Sequence, residues 1–369
     1  MKTASQSPTW AIIGASGFIG LRALEGLHDR DGIAVRPVVR AASSLAVLAR
    51  RRLDWRIADP RDLASLTEAL RGCSVCIHAA LGDPLQIEQM ATVAYQACAT
   101  AGVRRLVWLS SASVHGQNPA PGTDESSPIH DRHLLAYNNA KVRAERRLEH
   151  LARDGSVEVV RLRPGVVFGP RSRWITDTAA ELRAGRAGWL DDGCGVCNSI
   201  HVDNLAYAIH LAATVPAAAG HAFVVGDAES VTWRDFLLPV ATHLGLSAND
   251  FAIAAPAALV AEREPALAAL TRSRLYQNLG EHVPDRAKRL VKSLASAWPA
   301  PALAPGAWSF PRSSSTAPHL TLEHTLLQRC AWKLPHAKAA RILGYTPPVP
   351  FAEGLAASLA WLDFVEGPH

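Results

Sequence analysis

Tyr137-Asn138-Asn139-Ala140-Lys141 sets a phenol and an ammonium four residues apart. In a helix, positions i and i+4 share a face, so both groups point the same way. A cation beside a phenol favours the phenolate and predicts a Tyr137 pKa lowered toward neutrality. Such a phenol suits general acid/base work on an alcohol–ketone pair. Hydroxyls that could polarise a carbonyl stand upstream, in Ser110-Ser111-Ala112-Ser113. Tyr137 follows Ser111 by 26 residues (137 − 111 = 26), enough for a loop that returns to the same strand ends.

A second cluster would bind the redox partner. Gly14-Ala15-Ser16-Gly17-Phe18-Ile19-Gly20 is G-x-x-G-x-x-G after an apolar run, Trp10–Ile13, and before a helical stretch. Gly14 permits a tight turn, Gly17 a close backbone approach and Gly20 close helix–sheet packing. The following helix start offers N–H groups and a positive dipole end to a pyrophosphate. The second strand ends Val38-Val39-Arg40, and no Asp or Glu occurs from Ile33 to Leu53. Arg40 therefore points to NADP, with NAD possible; an acidic residue there would have favoured NAD. Asp59 could accept from an adenine amine or cap the next helix.

These groups need a scaffold. Strands are expected at Trp10–Ile13, Ile33–Val39, Trp55–Ile57, Val75–Ile77, Leu106–Leu109 and Val157–Leu162. Helices are expected at Phe18–Leu27, Leu63–Leu70, Ile87–Ala101 and Tyr137–Arg153. Strands separated by helices make βαβ units, hence an α/β fold with a doubly wound parallel sheet. After Gly169 the rhythm breaks. The expected division is a Rossmann domain at 8–170, rejoined by 198–230, and a smaller, mostly helical substrate lobe at 171–197 and 231–365. Ala297–Pro318, rich in Pro, Ala and Ser, reads as a surface loop.

Composition limits the alternatives. The chain has 369 residues, 49% hydrophobic and 19% charged, which excludes a disordered polymer. A net charge of +5 suits an anionic cofactor and is too small to argue for nucleic acid. Six Cys do not make a disulfide scaffold at this length, so a reducing cytoplasm is expected. No segment reads as a signal peptide, and the longest apolar stretch, Phe251–Ala261, is broken by Pro256 and too short to span a membrane.

The motifs together resemble the extended short-chain dehydrogenases/reductases, in the NAD(P)-dependent epimerase/dehydratase and 3β-hydroxysteroid dehydrogenase-like group. The matching pieces include the glycine loop, Ala58-Asp59-Pro60-Arg61-Asp62, His78-Ala79-Ala80, Ser110 to Gly116, Tyr137 to Lys141, Arg161 to Pro170, Ile200-His201-Val202-Asp203 and Leu343 to Pro347. The resemblance implies Ser111, Tyr137 and Lys141 as the catalytic triad. It implies that Lys141 also binds the nicotinamide ribose. It places the loop residues, including Ser16, Phe18 and Ile19, on the cofactor, Asp59 and Pro60 at the adenine, and Ala79 and Ala80 along the dinucleotide. It sets Pro164, Gly165, Val166 and Val167 beside the nicotinamide. It also implies a homodimer through helices Ile87–Ala101 and Tyr137–Arg153.

Departures from the family pattern bear on the chemistry. Dehydratases of the group carry an acid beside the catalytic hydroxyl, whereas this chain reads Ser111-Ala112-Ser113-Val114. Epimerases often carry an Asn where Val166 stands. Both differences favour a simple oxidoreductase on a less polar carbonyl or secondary alcohol. The alternative is a nucleotide-sugar 4-epimerase with tightly held NAD. A non-catalytic dinucleotide sensor would tend to lose Tyr137 or Lys141. His115, in place of the usual Tyr, is expected to be structural. Cys73 and Cys76 should point to opposite faces of a strand, which speaks against one shared metal. Cys194 and Cys197, in a Gly-rich turn, are also expected to be structural, and no metal site is expected. Arg50-Arg51-Arg52 could assist a 2′-phosphate. Trp174 and Trp189 are expected in loops, lining the pocket or packed beneath them.

Overall fold

The computed structural model describes residues 8–253, 262 and 320–366. The expected loop at 297–318 and most of the apolar run from Phe251 lie outside these residues.

Seven strands form one parallel sheet: β1 (Thr9–Ile13), β2 (Val35–Val39), β3 (Arg56–Ile57), β4 (Cys73–His78), β5 (Arg105–Leu109), β6 (Glu158–Pro164) and Ala222–Val225. Their order is Ala222–Val225, β6, β5, β4, β1, β2, β3. The order reverses direction at β1, and this switch point opens a crevice at the carboxyl ends of the strands. Both faces are covered, as near-continuous Val, Ile and Leu runs in parallel strands require.

The helices start and stop at readable signals. Helix α1 (Phe18–Leu24) opens at Gly17 and continues as a wider π-helical stretch to Arg30, beyond the expected end at Leu27. Asp62 caps α2 (Leu63–Leu70) by accepting from the Ser65 N–H, so the expected cap at Asp59 is displaced by three residues. Asp83 caps α3 (Pro84–Ala101), with Pro84 in its first turn. Helix α4 (Ala136–Leu151) has no local side-chain cap; its Ala136 N–H donates to Glu262 Oε2 at 2.8 Å, from 126 residues away.

One expectation about β4 fails. Thr9 pairs with Cys73 but Trp10 pairs with Val75, so Ser74 is an extra residue. This bulge resets the alternation. Cys73 and Cys76 consequently join the same core cluster, while Val75 and Ile77 join the other.

Beyond β6 the chain builds a second, aromatic core from Phe168, Trp174, Trp233, Phe236 and Phe351. Trp174 lies in helix α5 (Arg173–Arg183) rather than in a loop. Trp189 occupies a two-residue strand and stacks on Phe251 at 4.2 Å. The last described helices are α8 (Leu322–Gln328), α9 (Ala337–Leu343) and α10 (Phe351–Glu366), with α6 (Val202–Thr214) and α7 (Trp233–His243) preceding them. Helix α9 packs on the main sheet, where Ala339, Leu343 and Tyr345 enter its core. Among the described residues no helix is long and apolar enough to cross a membrane.

Candidate active site

The glycine turn is dictated by contact. Gly14 has φ +82° and donates from its N–H to Val38 O at 3.0 Å. A Cβ there would lie 2.8 Å from the Ala80 backbone, so Gly14 and Ala80 hold the β1 and β4 ends together. A Cβ on Gly20 would come within 2.2 Å of Gly14 O. Gly17 is exposed, and no side chain caps the α1 start behind it. Ser16, Phe18 and Ile19 are partly buried, the last two against the core. An uncapped helix start presented by a glycine-bounded turn fits the pyrophosphate of a dinucleotide.

At the other end of this crevice Arg40 is exposed, directly after β2. Asp59 is partly exposed and Pro60 buried. The Asp59 carboxylate is engaged by Arg61, whose Nη2 lies 2.6 Å away. Arg61, with a smaller contribution from Arg40, holds the Asp59 carboxyl down to about 2. Of the Arg50–Arg52 run, Arg51 is committed to Asp29 at 2.6 Å and does not serve a phosphate here.

Ser111 lies two residues beyond the end of β5 and caps a short 3-10 turn, its Oγ accepting from the Ser113 N–H at 3.1 Å. Tyr137, in the first turn of α4, is nearly fully buried and lies near enough to Ser111 for that hydroxyl to favour its ionised form. Ser111, Tyr137, Gly165, Val166 and Trp174 line one cavity of about 460 Å³. Pro164 and Val167 are buried behind it, and Ala79 and Ala80 are partly buried at the β4 end. Gly165 is required at this wall, since a Cβ would strike Asn198 O at 2.0 Å.

Lys141 lies one turn along α4. Its Nζ sits 5.6 Å from the Tyr137 ring centre and donates to Leu109 O at 2.8 Å. Burial pushes Lys141 down to about 8, against the pull of Glu145. The expected lowering of Tyr137 is reversed. Burial raises the phenol pKa, an ionised Glu323 would raise it further, and the neighbouring Ser111 hydroxyl lowers it only in part. The physical reason is that enclosure penalises phenolate and ammonium alike.

Several residues of this neighbourhood were not singled out from the sequence. Glu145 is fully buried and binds Arg163 through two contacts, 3.0 and 2.6 Å, while Ser110 Oγ also donates to it. Although burial pushes the Glu145 carboxyl up, Arg163, Arg161 and Ser110 hold it below its ordinary range. The spacing Tyr137, Lys141, Glu145 was a visible signal, since steps of four keep one helix face. Glu323 and Gln117, which also line the cavity, carried no such signal. Arg163 Nη1 meets His115 Nε2 at 3.1 Å, and burial keeps that imidazole down at about 4. His115 is thus a packed, neutral partner of Arg163.

A larger space of about 690 Å³ lies next to this cavity, beyond α8. It shares Trp174 and is otherwise lined largely by apolar groups such as Trp233, Leu237, Phe251 and Leu320. It contains no member of the Ser111–Tyr137–Lys141 set.

Comparison with known proteins bears on this arrangement. Residues 14–181 match a family model described as NAD(P)H-binding. The chain is 24% identical over 394 aligned positions to 3beta-hydroxysteroid-dehydrogenase/decarboxylase isoform 2 of Arabidopsis thaliana, covering 96% of this chain and 62% of that protein. It is 28% identical over 260 positions to the 2-alkyl-3-oxoalkanoate reductase of Stenotrophomonas maltophilia, covering 66% of this chain and 77% of that one. Among solved structures, dTDP-glucose 4,6-dehydratase from Streptomyces venezuelae, with NAD and TYD bound, superposes with a TM-score of 0.69 at 20% identity. That match covers 96% of this chain and 97% of the other.

Proposed function

The chain carries an NAD(P)H-binding domain and has the extended short-chain dehydrogenase/reductase fold, and from that premise we propose an NADP(H)-preferring oxidoreductase that interconverts a ketone and a secondary alcohol. The observation that carries the reading is that Ser111 and Tyr137 line one cavity, with Lys141 Nζ 5.6 Å from the Tyr137 ring on the same helix face.

A bound nicotinamide would supply or accept the hydride. The protein's own part is to place and move protons. In reduction Tyr137 passes its phenolic proton to the carbonyl oxygen, and the Ser111 hydroxyl donates a hydrogen bond to the charge forming there. Lys141 offsets the phenolate left on Tyr137. The raised Tyr137 pKa suits the donor role, because the phenol stays protonated until a carbonyl oxygen arrives. Oxidation runs the same transfers backwards, with Tyr137 as acceptor.

Arg40 supports the NADP preference, since it is exposed directly after β2, and an Arg at the end of the second strand of such a sheet can accommodate a 2′-phosphate. The mainly apolar space beyond Trp174 suits a substrate with a hydrocarbon portion.

The test is cofactor stoichiometry. NADPH should be consumed in equal amount to the alcohol formed across a panel of ketones. Interconversion of a nucleotide sugar with no net cofactor consumption would instead establish an epimerase.

A further inference from the structure

Glu323 enters the candidate site from α8, 206 residues from its partner Gln117. Gln117 Nε2 donates to Glu323 Oε1 at 3.1 Å, and Gln117 Oε1 accepts from Asn138 Nδ2 at 3.1 Å. Asn138 is the neighbour of Tyr137 on α4, so this relay ties the carboxyl to the helix that bears the phenol. It also assigns the two oxygens. Oε1 is occupied as an acceptor. Oε2 has no hydrogen-bond partner among the described residues, and none of their Lys or Arg side chains pairs with the carboxyl.

The Glu323 side chain is half-buried with no cation beside it, and that favours its neutral form. A neutral carboxyl has one O–H donor, and with Oε1 accepting from Gln117 that proton belongs on Oε2. Burial, offset by Gln117 and reinforced by Glu262, moves the Glu323 carboxyl up to about 8. Glu262 is the titratable group that acts on it, and the Glu323 charge, when present, acts on Tyr137. Neutrality also serves the neighbouring phenol, because an ionised Glu323 would oppose any phenolate at Tyr137. A protonated carboxyl used as a hydrogen-bond donor is an established chemical device.

We propose that Glu323 is a substrate-binding residue of this site, donating a hydrogen bond from Oε2 to a second oxygen next to the reacting carbon. The substrate class is then a ketone or secondary alcohol bearing a hydroxyl, keto or ether oxygen on a neighbouring carbon. The assignment rests on the oxidoreductase reading above. It also supplies, from the far end of the chain, an acidic group that the Ser111–Val114 segment lacks.

The experiment uses two matched ketones, one with a hydroxyl on the neighbouring carbon and one without. Both are assayed by NADPH oxidation, and both are titrated into the NADPH-loaded protein by nicotinamide fluorescence. Wild type should favour the oxygenated ketone by about tenfold or more in kcat/KM and in affinity. Glu323→Ala should collapse that ratio to near one. Glu323→Gln, which keeps an N–H donor but cannot transfer a proton, should restore most of it. An unchanged ratio in Glu323→Ala, or an equal fall on both ketones, would overturn the assignment. Loss in Glu323→Gln as large as in Glu323→Ala would overturn it in favour of proton transfer. If neither ketone is turned over while the binding ratio follows these expectations, the redox reading fails and the Glu323 assignment stands.

Discussion

Lys141 Nζ lies 5.6 Å from the centre of the Tyr137 ring, and its hydrogen bond goes to the Leu109 carbonyl at 2.8 Å. The cation therefore sits beneath the phenol on α4 while being anchored to the end of β5. That geometry joins the helix carrying Tyr137 to the strand that leads into Ser111. It leaves burial as the main influence on both pKa values.

Tyr137→Phe keeps the ring and removes the transferable proton. Ketone reduction should fall by about 10² or more, the scale of general acid catalysis. Cofactor affinity, read by fluorescence titration, should persist. Turnover within about tenfold of wild type would remove Tyr137 from its role.

Lys141→Met should divide activity from stability. Lys141 has a depressed pKa of about 8 against an ordinary 10.5, so the buried ammonium opposes folding. That opposition is fully present below about pH 8 and fades as pH rises toward 10.5. The variant should melt at or above the wild-type temperature at pH 7, and the gap should narrow in alkali. Turnover and cofactor affinity should drop, and the rate optimum should move to higher pH. A clear loss of thermal stability with an unchanged pH profile would contradict this.

Arg40→Asp tests the cofactor preference. A 2′-phosphate carries nearly two charges, and each charge-assisted hydrogen bond to it is worth about 1.5–3 kcal/mol before desolvation losses. The native chain should bind NADPH at least about tenfold more tightly than NADH, a difference of about 1.4 kcal/mol. The substitution should weaken NADPH strongly and spare or improve NADH. Equal native affinities in a titration of both reduced cofactors would refute the preference.

Glu145→Gln should destabilise the protein without any change in the substrate cavity's lining. Glu145 and Arg163 are both buried, and removing one charge leaves the other unmatched. Breaking such a pair costs about 3–5 kcal/mol, which should appear as a much lower urea midpoint at pH 7. The depressed Glu145 pKa contributes stability above the ordinary carboxylate range. That contribution disappears as pH falls through the folded-state value, so wild type and variant should converge in acid. An unaltered midpoint at pH 7 would show the pair to be dispensable.

Local rules made much of this protein legible in one dimension. The turn at Gly14 and the packing at Gly20 follow from backbone sterics, and the shared face of Tyr137, Lys141 and Glu145 follows from helical period. The parallel sheet follows from apolar strands alternating with helices, because each crossover needs a helix to return. What folding alone decided came from contacts between distant segments. Ser74 bulges only because β4 pairs with β1, and that single extra residue puts Cys73 and Cys76 on one face. Glu262 caps α4 from 126 residues away, and Glu323 reaches the Gln117 relay across 206. The direction of the Tyr137 pKa was likewise unreadable from Y-x-x-x-K. Spacing sets which groups share a face, whereas the balance of burial against charge depends on every segment that closes over them.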